Sequence, residues 1–208
     1  MLYKIIGDSC MDLTEELKLD PHFQMIPLTL QIGDYKVTDD ETFNQKEFLA
    51  KVKASPECPK TACPSPESFK EAFEGEAEYI FVVTLSNHLS GCYNSAALAK
   101  RRYEEENGTD GKKIAVIDSL SASAGELNIA LFIRDLCEKG LPFEEICRQT
   151  EAYRDSMNTY FVIETLDFLK KNGRLTGLTA FIASALNIKP VMGADSGTII
   201  KLDQARGM

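Results

Sequence analysis

Tyr79-Ile80-Phe81-Val82-Val83 is apolar at every position, so a strand made from it is apolar on both faces. Such a strand belongs at the centre of a sheet covered by helices on both sides, which is the habit of parallel sheets. Apolar runs at residues 3–7, 25–32 and 114–118 alternate with stretches of helical period, the pattern of an α/β protein with a mostly parallel sheet. In the run at 25–32, Pro27 confines the strand to a sheet edge or to its own beginning, because proline has no N–H to give a ladder.

Helix boundaries follow the same logic. Ser65 before Pro66, and Asn44 three residues before Glu47, place side-chain oxygens where the free N–H groups of a first helical turn need them. Asp12, with Glu15 three residues on, reads as a third cap. Residues 127–137 are apolar nearly all round and should form a buried helix, ended by Gly140 and followed by another from Pro142. Beyond about residue 150 the reading gives strands at 160–164, 188–192 and 198–202, a short helix capped by Thr165 and closed by Gly173, and a helix at 177–186. A hairpin turn at 193–197 joins the last two strands. The expected organisation is an α/β domain over residues 1–150 and the start of a smaller α/β domain over 151–208.

The 208 residues are 44% hydrophobic and 26% charged, the balance of a globular protein. A net charge of −9 excludes a broad nucleic-acid or anionic-membrane surface, which would need clustered lysine and arginine. The one dense basic run, Lys100-Arg101-Arg102, is followed at once by Glu104-Glu105-Glu106 and reads as a solvated helix face. No apolar run approaches the roughly 20 residues that span a bilayer, and Met1-Leu2-Tyr3-Lys4 leads into a strand, so a cytoplasmic protein without membrane insertion is expected. The six cysteines are scattered and expected to be reduced. Cys58 and Cys63 lack the second pair or histidine cluster of a zinc site, so no metal is expected.

Dinucleotide, phosphate-loop, nucleophile-elbow and zinc-protease signatures are absent. Four loops rich in Ser, Thr and Gly stand out instead: Asp8-Ser9-Cys10-Met11-Asp12-Leu13, Thr61-Ala62-Cys63-Pro64-Ser65, a segment from Ser86 to Ala96 that contains Ser90-Gly91-Cys92, and Asp118-Ser119-Leu120-Ser121-Ala122-Ser123-Ala124-Gly125. In open α/β sheets such loops gather at the carboxyl ends of the strands, where helix N-termini favour an anionic group.

Together these loops resemble the DegV family of fatty-acid-binding proteins. Asp8-Ser9 with Asp12-Leu13, Leu89-Ser90-Gly91 with Ser95-Ala96, and Asp118-Ser119 with Ser123 and Gly125 follow that family's motifs in order and spacing. Phe168-Leu169-Lys170-Lys171-Asn172-Gly173-Arg174-Leu175 and Ile188-Lys189-Pro190 continue the match. Three positions depart from it: Ala62 stands where a serine is usual, Cys92 where a threonine is usual, and Asn172 where a glycine is usual.

The resemblance implies a two-domain fold, with a mostly parallel, Rossmann-like first sheet and a smaller, here incomplete, α/β second domain; family members run longer, so the chain reads as truncated at its C-terminus. It implies that Thr61 and Ser90 hold the carboxylate of a long-chain fatty acid, that Gly91 lets the backbone approach, and that Ser9, Ser119 and Ser123 support the loops. The acyl chain would lie between the domains. The chain itself would be no enzyme and hold no cofactor: it would present the acid to a separate kinase subunit that uses ATP, with Arg174 and Arg206 as contacts to the kinase or the phosphoryl group. Arg174 has a second reading, contact with a nearby helix C-terminus. Two rivals stand beside the carrier reading: a hydrolase with Ser90 or Cys92 as nucleophile and His88 as base, and a regulatory module without ligand.

Overall fold

The computed structural model describes residues 2–108, 111–163, 166–175 and 188–206. A four-stranded parallel sheet has the order β2-β1-β6-β7, built from β1 (Tyr3–Asp8), β2 (Phe23–Ile26), β6 (Tyr79–Thr84) and β7 (Lys113–Asp118). The run Tyr79 to Val83 is thus central, as expected. Its alternate residues feed two cores. Phe81 and Val83 join Tyr3, Ile5 and Ile117 beneath α5 (Ala124–Glu138) and α6 (Phe143–Ser156). Ile80 and Val82 join Ile6 and Ile114 beneath α3 (Pro66–Ala72) and α4 (Cys92–Asn107). Two helical layers therefore sandwich one sheet, and every side chain from Ile80 to Val83 is fully buried.

Between β2 and β6 lies a second, antiparallel sheet of order β4-β3-β5, made of β3 (Thr29–Ile32), β4 (Tyr35–Thr38) and β5 (Lys60–Ala62). The run at 25–32 is consequently two strands in two sheets, broken at Pro27, which has no N–H to continue the β1–β2 ladder. A third sheet, of order β10-β9-β8, joins β8 (Tyr160–Val162), β9 (Ile188–Asp195) and β10 (Thr198–Arg206) in antiparallel fashion. Ser196 and Gly197, both at positive φ, form the two-residue turn between β9 and β10.

The caps at Ser65 and Asn44 are present, accepting from the N–H groups of Ser68 and Glu47 at 3.1 and 3.2 Å; the second opens α2 (Gln45–Ala54). Asp12 is not a cap. It sits at φ +54 after a single 3-10 turn, Ser9–Met11, and Thr14 caps α1 (Glu15–Lys18) in its place. Gly140 (φ +72) stops α5 as expected, and Gly173 (φ +71) stops α7 (Asp167–Lys171). The Thr165 cap and the helix at 177–186 lie outside the described residues, as does the end of the 160–164 strand. Lys100, Arg101 and Arg102 pair with Glu104, Glu105 and Glu67 along α4 and above it, a solvated face. No helix among the described residues is long and apolar enough to cross a membrane.

If Phe81 anchors the core of the parallel sheet, Phe81→Ala leaves a cavity that flanking strands cannot collapse into. The expected loss is about 3–5 kcal/mol in urea unfolding followed by circular dichroism; a loss under about 1 kcal/mol would contradict the buried central position.

Candidate functional site

Three of the four loops meet at the carboxyl ends of β1, β6 and β7, and carboxylates hold them there. Asp8, the last residue of β1, accepts from the N–H of Leu85 at 2.9 Å through one oxygen and from Cys10 at 3.0 Å through the other. Asp118, the last of β7, accepts from Leu120 at 3.0 Å and Asn87 at 3.2 Å. Each aspartate closes an Asx turn on its own loop and reaches across to the loop after β6. Burial pushes the Asp8 carboxyl up, while the hydrogen bonds from Leu85 and Cys10 pull it down. The Ser86 N–H adds a bond to Ser121 O at 2.8 Å, and Ser86 Oγ donates to Gly197 O at 2.8 Å, seating the β9–β10 turn on the same loop. Neither aspartate was singled out in the sequence as a clamp; the signal was an Asp-Ser pair ending two strands of one sheet.

Thr61 arrives differently from expectation. It lies not on a loop after a parallel strand but in β5, paired with Leu30, at an exposed edge of the antiparallel sheet. The residues that follow it, Cys63 and Pro64, meet the segment that follows Ser90. A Cβ on Gly91 would meet Cys63 Sγ at 3.1 Å, so Gly91 is where the two segments touch, and Ser95 Oγ donates to Pro64 O at 2.6 Å from the first turn of α4. Ser90 is half-buried; its Oγ accepts from the Cys92 N–H at 3.3 Å and donates to Cys92 Sγ at 3.2 Å. Beneath it Cys92, Leu28 and Leu85 form an apolar cluster with Cys10, Leu89 and Ala122.

The three supporting serines are spent on backbone or on a neighbouring acid. Ser9 Oγ accepts from Leu28 N at 3.0 Å. Ser119 is buried and closes onto Ser121, accepting from its N–H and donating to its carbonyl, both at 3.1 Å. Ser123 donates to the Asp12 carboxylate, which places the misread Asp12 in the site as a loop tether. A cleft of about 320 Å³ opens beside Ser119 and Leu120, with Met157, Thr159 and Gly197 on its other walls.

Arg174 is half-buried and grips two carbonyls, Leu89 O through Nε and Asn172 O through Nη1, both at 3.1 Å. The second contact is at the C-terminal turn of α7, the alternative read in the sequence. Arg206 ends β10 opposite Ile188, away in sequence from any head-group loop. Among the described residues no hydrogen bond joins the exposed His88 imidazole to Ser90 or Cys92, and burial together with Asp8 pushes the Cys92 thiol up, so it stays protonated. No group of three or more His, Cys, Asp or Glu among the described residues is arranged to hold a metal ion.

Glu126, on the first turn of α5, was missed. It is fully buried; one oxygen accepts from Ser123 N at 3.1 Å and the other has no partner among the described residues. Burial, then the charge of Asp8, pushes its carboxyl well up, with Asp12 and Asp118 adding to the effect. A raised folded-state pKa means that its contribution to stability is complete below the ordinary glutamate value of about 4.3 and is lost as pH rises toward the folded value. Glu126→Gln cannot ionise. The variant should match the wild type near pH 4 and gain on it by up to about 1.4 kcal/mol per pH unit above that, measured by urea unfolding between pH 4 and 8. Parallel pH curves for the two proteins would show that Glu126 is ionised in the fold.

A family model described as "Uncharacterised protein, DegV family" matches residues 3–208. A DegV domain-containing protein of Streptococcus pneumoniae is 39% identical over 211 residues, an alignment covering 100% of this chain and 74% of the relative. Among solved structures, a DegV family protein from Ruminococcus gnavus with vaccenic acid is 50% identical, with a TM-score of 0.94 over 99% of this chain and 73% of its own. The Streptococcus pneumoniae Fatty Acid Kinase (Fak) B3 protein, loaded with linoleic acid, is 38% identical, with a TM-score of 0.90 over 100% of this chain and 74% of its own. With its mixed α/β architecture and its loops matched along the whole length, the chain belongs to the DegV family.

Proposed function

We propose that this protein binds a long-chain fatty acid with its carboxylate between the Thr61 and Ser90 hydroxyls and presents it to a separate, ATP-using kinase for acyl phosphate formation. The observation that carries the reading is the meeting of two hydroxyl-bearing segments at the N-terminal turn of α4, where Cys63 abuts Gly91. Hydroxyl donors and the N-terminal end of a sixteen-residue helix favour an anion there. The apolar cluster under Ser90 favours an anion with a hydrocarbon tail, and the fatty acids bound by the Ruminococcus and Streptococcus proteins agree in kind.

Ser90 is suited to the task by its present partner. Thiol sulfur is a weak acceptor, so turning the Ser90 O–H from Cys92 Sγ to a carboxylate oxygen trades a poor hydrogen bond for a charge-assisted one. The tail would run between the loop end of the parallel sheet and the β8–β10 sheet, near Leu120 and Met157. Burying some fifteen methylenes at about 0.8 kcal/mol each gives roughly 12 kcal/mol gross before ordering and association costs, so the tail supplies affinity and the hydroxyls orientation.

The chain is read as a non-catalytic, cytoplasmic carrier in which residues 1–150 form the head-group domain and 151–208 the start of the second. The hydrolase alternative has less support: among the described residues no hydrogen bond joins the His88 imidazole to Ser90, and burial together with Asp8 pushes the Cys92 thiol up. Of the proposed contacts to the kinase, Arg174 already has its guanidinium on two carbonyls, so a kinase contact there would have to share it.

Thr61→Val and Ser90→Ala are expected to keep the circular dichroism spectrum and melting point while each weakens oleate binding by roughly tenfold, the worth of one charge-assisted hydrogen bond, in titrations of delipidated protein. Acyl phosphate formation with a fatty acid kinase subunit and ATP should fall in both. Unchanged oleate binding and unchanged phosphorylation in both variants would remove the assignment.

A further inference from the structure

Thr61 sits on a weakly held element. β5 is three exposed residues long, and β3 is its one sheet neighbour. A strand so short does not fix a hydroxyl to the tolerance that carboxylate binding needs. A second grip comes from a distant part of the chain: Asn172 Nδ2 donates to Pro59 O at 3.0 Å and to Cys58 Sγ at 3.3 Å. Since the backbone carbonyl can only accept, the orientation of the carboxamide follows from its partner.

The turn behind that grip is closed by its own hydrogen bonds. Asn172 closes α7, its N–H bonded to Phe168 O at 3.0 Å, and Gly173 and Arg174 finish the turn with bonds to Lys170 O and Leu169 O at 3.0 and 2.8 Å. Leu169 and Leu175, on either side of that turn, pack into an apolar cluster with Met192 and Ile199, which Leu89 joins from the other loop. Arg174 then bonds both Asn172 O and Leu89 O, the carbonyl directly before Ser90. One turn therefore touches the main chain two residues before Thr61 and one residue before Ser90.

We propose that Asn172 is a positioning residue: its carboxamide docks the 58–62 segment on the α7 turn and so sets the distance between the Thr61 and Ser90 hydroxyls. This rests on the head-group reading above. Its carboxamide bonds Pro59 O and Cys58 Sγ, and it acts through Thr61.

The test is a double-mutant cycle on oleate binding by the delipidated chain. Asn172→Ala should weaken binding on the order of tenfold, and Asn172→Asp, which keeps the shape but turns a carboxylate toward the Pro59 carbonyl, should weaken it at least as much. Amide exchange across 58–62 should quicken in both. In a Thr61→Val background the Asn172→Ala loss should vanish, because there is no hydroxyl left to position, whereas in a Ser90→Ala background it should persist. Wild-type binding by both Asn172 variants, or the same loss with Thr61→Val present, overturns the proposal and leaves the head-group reading standing. Wild-type binding by Thr61→Val overturns both.

Discussion

Two carboxylates at the ends of two parallel strands hold the architecture of the site. Asp8 and Asp118 flank β6 on either side, and each accepts from two backbone N–H groups, one on its own loop and one on the loop that follows β6. A carboxylate only accepts, so the two oxygens of Asp8 can face two N–H groups without conflict, where an asparagine would turn a donor toward one of them; at Asp118 the single oxygen Oδ1 accepts both. Such charge-assisted bonds are worth about 1.5–3 kcal/mol each, enough to fix a loop that lacks regular structure. Burial opposes this by favouring the neutral acid at Asp8, and the N–H groups of Leu85 and Cys10 work against that tendency. The position of Ser90 follows from the clamp, since its own N–H closes onto Ser86 O at 3.1 Å, one residue past the clamped Leu85.

What could be read in the sequence was what is decided locally. The all-apolar run at Tyr79 to Val83 announced a central strand, because nothing but burial on both faces rewards that composition. Ser65, Asn44, Gly140 and Gly173 were legible because caps and left-handed stops act within one turn. Asp12 failed as a cap for the same local reason: Thr14, two residues on, takes the N–H of Leu17, and Asp12 is released to Ser123, a partner far away in sequence. The reading of 25–32 as one strand failed because Pro27 breaks it between two sheets, although β2 before it does lie at a sheet edge.

The hydroxyl-bearing loops were legible in the sequence, but the contacts that support them were not. Hydroxyls mark themselves by composition, yet composition cannot say which are spent. Ser9, Ser119 and Ser123 all bond to backbone or to an acid of the loops. Thr61 and Ser90 are the two whose hydroxyls are exposed or held by a weak sulfur acceptor. β5 itself has no pattern to detect, being three exposed residues that become a strand because β3 pairs with them.

The same distinction bears on the three positions where the sequence departs from its family resemblance. Ala62 and Cys92 each carry no hydroxyl next to Thr61 and near Ser90. Cys92 also fills the apolar cluster with Leu28 and Leu85, where a hydroxyl would require an acceptor of its own. Asn172 works in the opposite sense, adding a polar side chain where a glycine is usual and spending it on Pro59 O. A glycine there would leave that carbonyl to water and β5 to its three ladder positions alone. Under the proposed head-group reading, fewer hydroxyls around the anion and a firmer hold on one of them are consistent changes, because when fewer donors share a charge each must be better placed.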